Sequence, residues 1–334
     1  MPDRVAPGSS VVRSRIALGA VALALVAYPF VFGSSTAINI GVLVLLFAML
    51  GTAWNLLGGY AGQISFGHAV FFGTGAYTST LLLRQFGLSP WVGMLAGAAL
   101  AAAVAVAVGW PTFRLAGHYF AIATIVVGEI AHTLVRNADA VGGARGLFLP
   151  IVPSMLVNYE FHEGRVPYYF VALGLYAFAL LVTFAVERRR IGYYLRAIRE
   201  DQAAAQSVGV SVLRYKLGAA ALSAALAALG GTFYAQYVLF IDADSVFPLS
   251  LSILIALVPI LGGAGHAIGP LLGAAVLIPL SELTRITFGA TGQGLDLVIY
   301  GGLIVLIAVL QPGGLVTLPR RWHWSVAAVR KRSA

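Results

Sequence analysis

The sequence contains no cysteine and little charge, and each deficit excludes a class of protein. With 0 cysteines, the chain cannot form disulfides, thiol-based catalytic centres or cysteine-containing metal sites. Charged residues make up 10% of the 334 residues, whereas a typical soluble domain contains roughly 25%. A soluble protein of this size could not cover its surface with so few charges, so a soluble globular protein is excluded.

Lysine is also scarce, and this excludes one kind of nucleotide site. The chain contains only Lys216 and Lys331, and neither follows a glycine. The phosphate-binding loop G-x-x-x-x-G-K-[ST] therefore does not occur. If ATP drives this protein, another polypeptide binds the nucleotide.

Apolar residues dominate what is present. They account for 60% of the chain, and the mean hydropathy is +0.90. The apolar runs are long and continuous, which predicts an all-α polytopic membrane protein rather than a β-barrel. About ten transmembrane helices are expected, at 16–33, 38–57, 64–83, 91–110, 116–135, 168–186, 217–240, 248–262, 267–284 and 295–311. The run 248–262 is short and contains Pro259, which is compatible with a broken or re-entrant helix.

The basic residues predict the orientation. The net charge is +9, and arginines concentrate in the loop 187–216 and the tail 318–334. Because cytoplasmic loops carry an excess of Lys and Arg, both segments are expected inside, with cytoplasmic N- and C-termini. No basic patch suggests nucleic-acid binding. The expected organisation is a cytoplasmic tail 1–15, a transmembrane domain 16–317 with the outer loop 136–167 and the inner loop 187–216, and a basic cytoplasmic tail 318–334.

A glycine-rich stretch over 58–77 is the most unusual segment. It combines glycines with Gln63, Ser65 and His68 inside an otherwise apolar span. One interpretation is irregular backbone that lines a cavity, because such backbone must not face lipid. The other is a small-residue face for helix packing. A loose G-G…G…H pattern recurs at Gly262–His266, and it is too weak to establish an internal repeat.

Several motifs follow one another along the chain. They are the stretch 58–77, the run Tyr119–Thr124 into Gly128-Glu129-Ile130, Gly142–Leu147, Arg196–Lys216, Gly262–Gly265 and Gly269–Ala274. In this order they resemble the motifs of the LivM-type permease subunits of branched-chain amino-acid ABC importers. The resemblance covers about residues 50–311 and departs from the family pattern at Val141 and Ala144. It implies a permease that works by alternating access.

The inner loop mixes apolar and charged residues in the manner of a short amphipathic helix that docks into a groove of a soluble partner. A loop that only fixes topology is the plainer interpretation. The resemblance implies an ATPase contact, although Ala203 stands where the family's E-A-A-x-x-x-G motif has Glu, and Glu200 lies one turn earlier. The coupling residues so implied are Arg196, Arg199, Glu200, Ala203, Ala204 and Gly209.

Polar residues within the spans are candidates for a translocation path. An intramembrane carboxylate such as Glu129 costs about 2.5 kcal/mol or more, so it is a functional candidate. With His132 three residues later, it could instead form a buried hydrogen-bonded pair or a proton relay. His68 could make a structural hydrogen bond or touch substrate. The candidate path residues are Gly62, Gln63, Ser65, Gly67, His68, Gly75, Tyr77 and Glu129.

The expected function is a multi-pass cell (inner) membrane permease for branched-chain or other hydrophobic amino acids. The resemblance implies a second related permease, two ATPase subunits and an external substrate-binding protein as partners, besides the lipid bilayer. No catalytic residue, no metal and no cofactor are expected in this chain, since the partners bind ATP. The alternatives are an ion-coupled secondary transporter, or an ABC permease for urea, amides or aromatic acids.

Overall fold

The computed structural model describes residues 7–115, 117–150, 159, 164–288, 301–302 and 314–317. Almost all of the expected span 295–311, the whole tail 318–334 and residues 1–6 of the expected tail 1–15 lie outside the described residues. Within them the chain is mostly helical. The helices are α1 Pro7–Val31, α2 Ser35–Asn55, α3 His68–Phe86, α4 Pro90–Thr112, α5 His118–Asn137, α6 Val166–Arg188, α7 Arg190–Glu200, α8 Gln202–Ser207, α9 Val212–Val238, α10 Ala243–Val246, α11 Leu249–Gly262 and α12 Gly269–Phe288.

Among the residues that the structure describes, six helical segments are long and apolar enough to cross a membrane, and two shorter apolar helices accompany them. The chain therefore has the architecture of a polytopic helical membrane protein. The six segments are Ser35–Tyr60, Pro90–Thr112, His118–Asn137, Val166–Arg188, Val212–Val238 and Ala243–Gly262, and the shorter ones are Gly19–Val31 and Gly269–Thr284.

The core is built around α9, which packs against α2, α3 and α4. Glycines allow these backbones to approach closely, since a Cβ at Gly231 would overlap the carbonyl oxygen of Phe72, and one at Gly75 would overlap that of Ala228. On the other side of α2, helices α6 and α12 complete the bundle, and α11 packs on α12.

The two ends of the bundle differ. At one end, the strands β1 (Leu147–Phe148) and β2 (Phe240–Ile241) pair antiparallel, with Leu147 opposite Ile241. We call this the β1–β2 end. It joins the segment 136–167, which was expected outside, to the residues that follow α9. The opposite end carries α7 and α8, and we call it the α7–α8 end.

Two expected spans differ in the structure. The helix expected to begin at residue 64 begins at His68, because a π-helical turn, Leu56–Tyr60, and non-helical residues 61–67 precede it. By contrast, α11 is continuous from Leu249 to Gly262 with Pro259 inside it. The interruption follows α11, at residues 263–268. At about 1.5 Å per residue, the 14 residues of α11 span about 21 Å, less than a ~30 Å bilayer core.

The glycine packing of α9 makes a testable prediction. Gly231→Ala should lower the free energy of unfolding by about 1–3 kcal/mol, because the new methyl group overlaps the backbone of α3. The matched control is Gly218→Ala on the same helix, where a Cβ meets nothing within 4 Å. The control should be neutral or stabilising by up to about 1 kcal/mol. Thermal unfolding in detergent measures both; equal midpoints for the two variants would contradict the packing account.

Candidate functional site

The first break in the helical backbone lies between α2 and α3, over residues 61–67. Gly62 has a φ of 67°, a conformation that favours glycine. Neighbouring side chains satisfy the freed backbone groups: Trp54 Nε1 donates to the carbonyl oxygen of Ser65 at 2.7 Å, and the N–H of Phe66 donates to Thr124 Oγ1 at 3.0 Å. The break is therefore held by α2 and by α5.

The first residue of α3, His68, lies deep within the bundle. It is fully buried, and its Nε2 is 2.9 Å from the hydroxyl of Ser223, near the middle of α9. That hydroxyl donates to the carbonyl oxygen of Ala53 at 2.6 Å, so it accepts from His68 Nε2. The N–H of Ala69 donates to Ser252 Oγ at 2.9 Å. The N-terminus of α3 thus lies at mid-depth, connected to α2, α9 and α11.

The second break, residues 263–268, touches the first. Asn55, fully buried at the end of α2, accepts from the N–H of Gly265 at 2.8 Å and donates from Nδ2 to the carbonyl oxygen of His266 at 3.0 Å. A Cβ at Gly59 would overlap the Asn55 side chain. The two segments that share the loose glycine pattern are therefore neighbours in space, joined by one amide side chain.

Helix α7 lies against both breaks. Arg199 Nη1 donates to the carbonyl oxygen of Gly59 at 2.7 Å, and a Cβ at Gly265 would overlap the same guanidinium. A Cβ at Gly62 would lie 3.0 Å from Arg199 Cγ. One turn earlier, Arg196 pairs with Glu187 at 2.6 Å and lies over the ring of Tyr60 at 5.7 Å. Both arginines therefore face the transmembrane helices.

The opposite surface of α7 and α8 is open. Asp201 caps α8 by accepting from the N–H groups of Ala203 and Ala204 at 2.8 and 3.0 Å. Below them Ala205 packs with Ile198 and Val212 in a small separate core. We give the name docking surface to six of the exposed residues there, Glu200, Ala203, Ala204, Ser207, Val208 and Gly209. Val208 is 78% exposed, and sequence reasoning missed it.

The structure divides the candidate path residues into two groups. At the first break, Gly62 is exposed, whereas Gln63 and Ser65 are buried, and Gly67 lies against the backbone of Thr124. Farther along, His68 is enclosed in the core. Gly75 lies against α9, and Tyr77 packs on Phe247 with ring centroids 5.7 Å apart. The residues of the second group therefore serve helix packing. Among the candidate path residues, exposed irregular backbone is confined to the first group.

Glu129 lies on α5 and is exposed, unlike the buried pair that the sequence allowed. Its side chain is 63% exposed, and its Oε1 is 3.7 Å from His132 Nδ1. The main partner of His132 is Asp244, at 2.8 Å from Nε2, and Arg136 approaches the same carboxylate at 3.5 Å. This charged cluster joins α5 to α10 near the β1–β2 end. Asp244 was missed because it is 112 residues away from His132 in sequence.

A cavity of about 610 Å³ opens at the β1–β2 end. Arg84, at the end of α3, and Arg145, in the turn before β1, both line it, together with Asp139. The backbone of Gly142, with a φ of 91°, forms part of the wall. The cavity therefore presents two guanidinium groups and one carboxylate.

Residues 36–308 match the protein family described as the permease component of branched-chain amino acid transport systems. The chain is 30% identical to the high-affinity branched-chain amino acid transport system permease protein LivM of Escherichia coli, over 93% of this chain and 77% of LivM. It is 24% identical to LivH of the same bacterium, over 82% and 92%. A probable LivM of Methanocaldococcus jannaschii is 23% identical, over 81% and 90%. No solved structure matches the chain.

The first break predicts a pattern of thiol accessibility. In single-cysteine variants, Ile64→Cys should react with a membrane-impermeant thiol reagent at least about tenfold faster than Ser65→Cys, because Ile64 is 49% exposed and Ser65 is 3% exposed. His68→Cys should be inert. Val208→Cys on the docking surface is the positive control. Equal labelling at residues 64, 65 and 68 would contradict this pattern of exposed and buried residues.

Proposed function

We propose a function from the premise that this chain belongs to the permease family of branched-chain amino acid transport systems. It is a membrane-spanning permease subunit of an importer for branched-chain or other hydrophobic amino acids, driven by separate ATPase subunits. The observation that carries the mechanism is the contact of Arg199, on α7, with Gly62 in the first break and Gly265 in the second. A displacement of α7 therefore affects both breaks.

The docking surface is proposed as the ATPase contact. It projects from the bundle on two short helices, and its small and apolar residues suit a groove on a soluble partner. Arg196 and Arg199 serve a different role from Glu200, Ala203 and Ala204, because they face the transmembrane helices. In this proposal the exposed residues bind the ATPase, and the two arginines transmit its movement. Gly209, with a φ of 88°, lies in the turn between α8 and α9.

The translocation path is proposed along α5 and the exposed side of the first break. Only Phe120 and Thr124 of α5 are buried, so most of this helix lies on the surface of the chain. The surface includes Glu129, and a carboxylate there would be costly against lipid. A second, related permease that covers this face would provide a polar path between the two subunits. The similarity of the chain to both LivM and LivH supports such a pair.

We further propose that the β1–β2 end faces the outside and the α7–α8 end the cytoplasm. The arginines of the loop 187–216 support this orientation. Both termini are then cytoplasmic, with about ten helices in the cell inner membrane. The cavity at Arg84 and Arg145 faces the external substrate-binding protein, whose acidic side chains it could accept. ATP is bound by the partner subunits.

The function is tested by uptake into liposomes. The chain is reconstituted with the second permease and ATPases, and radiolabelled leucine is supplied with the binding protein. We expect uptake that requires ATP and every partner. Uptake by this chain alone, driven by an ion gradient, would show an ion-coupled secondary transporter instead. Competition by unlabelled isoleucine, urea, amides and aromatic acids separates the substrate classes.

Arg199 provides a sharper test of coupling. Arg199→Met should keep ATP hydrolysis but reduce leucine uptake per ATP by about tenfold, because it removes a hydrogen bond from a charged group to the π-helical turn that leads into the first break. Arg190→Met is the matched control, since Arg190 is an exposed arginine at the other end of α7. Equal uptake per ATP in the two variants would refute this role of Arg199.

Substitutions of Glu129 test the proposed translocation path. Because its side chain is exposed, both Glu129→Gln and Glu129→Ala should assemble normally, and both should reduce uptake by removing the charge. Ile130→Ala, at an exposed neighbouring residue of α5, is the control and should transport normally. Uptake assays with matched protein amounts measure the effect. Normal transport by both Glu129 variants would remove this residue from the path.

A further inference from the structure

Helix α5 is anchored to the bundle by few contacts. Its two buried residues, Phe120 and Thr124, lie four positions apart on one face. Thr124 accepts the hydrogen bond from Phe66 in the first break, and Phe120 stacks on Phe113 with ring centroids 5.0 Å apart and an interplanar angle of 17°. The position of α5 near the α7–α8 end therefore depends on where Phe113 lies.

Lys216, at the start of α9, contacts Phe113 from the other side. Its side chain is 1% exposed, and Nζ lies 5.8 Å from the centroid of the Phe113 ring. Nζ also donates to Gln202 Oε1, in α8, at 2.9 Å. In the part of the chain that the structure describes, no Asp or Glu oxygen lies within 4.0 Å of Nζ to form an ion pair.

A buried ammonium group without an ion-pair partner is costly, and an apolar side chain would fill the same space without that cost. The two contacts that Lys216 makes explain why a cation is present. One is a charge-assisted hydrogen bond to α8, and the other is a cation–π contact with the aromatic pair that anchors α5. A methionine could make neither contact.

We propose that Lys216 is a positioning residue that connects α8 to α5, so that movement of the docking surface reaches the translocation path through it. The connection runs from Gln202 through Lys216 and Phe113 to Phe120. It is separate from the contact of Arg199, which reaches the two breaks directly. This inference rests on the proposed function, and it adds a second route from the ATPase contact to α5.

The first test compares substitutions of Lys216. Lys216→Met keeps the length and apolar stem of the side chain but loses both contacts. In the reconstituted complex, leucine uptake per ATP should fall about tenfold while ATP hydrolysis and assembly persist. Lys216→Arg keeps the cation and should recover part of the uptake. Arg214→Met, an exposed cation two residues away, is the matched control and should leave the ratio unchanged.

A second variant separates positioning from mere stability. Gln202→Met keeps Lys216 and its contact with Phe113, and it removes only the oxygen in α8 that accepts the hydrogen bond. Uptake per ATP should fall about tenfold while ATP hydrolysis and assembly persist. Because Lys216 itself is unchanged, this comparison decides the question even if Lys216→Met does not assemble.

The outcomes distinguish this inference from the proposed function. If the unaltered complex shows no ATP-driven uptake, the proposed function fails. If the unaltered complex imports leucine and Lys216→Met has the same uptake per ATP, the role of Lys216 is refuted. It is also refuted if Gln202→Met assembles and keeps the ratio of the unaltered complex. A ratio that falls in both variants supports the connection.

Discussion

A bilayer offers no hydrogen-bond partners to the backbone, and the whole site depends on that constraint. The helical backbone is interrupted between α2 and α3 and between α11 and α12, and side chains of neighbouring helices bind backbone groups that the interruptions free. Trp54 and Thr124 serve the first break, and Asn55 serves the second. The interruptions therefore exist only while their neighbours hold position. Arg199 is one of these neighbours, and it belongs to a helix outside the transmembrane bundle.

This dependence gives the transport mechanism a physical basis. A segment with its own complete hydrogen bonding, such as α4, can remain still while its surroundings move. The two breaks cannot remain still in this way, because the side chains that contact them lie on α2, α5 and α7. Movement of α7 and α8 must therefore either carry the breaks along or cost hydrogen bonds in a medium where these are hard to replace. Alternating access requires a structural element with two arrangements. A soluble partner can bias the equilibrium between these two arrangements.

The sequence correctly predicted a polytopic helical membrane protein, because continuous apolar runs are local signals. For the stretch near Gly62, the density of glycine beside polar residues left two interpretations open, and irregular backbone was one of them. The sequence could not separate that break from the packing glycine at Gly75, since close packing and irregular backbone favour the same small residue. The partners Asp244 and Gln202 were beyond reach, because their contacts join residues far apart in the chain or on different helices.

The central claim is that the docking surface and the first break move together, and a distance measurement on spin-labelled protein tests it most directly. Labels at Ile64→Cys and Val208→Cys occupy exposed positions in the two segments, and Leu95→Cys, 71% exposed on α4, provides the reference. On ATP binding by the assembled complex, the distance between residues 64 and 208 should stay constant, while the distance between residues 95 and 208 changes. A changed 64–208 distance with an unchanged 64–95 distance would show that the docking surface moves without the break, and would contradict the account.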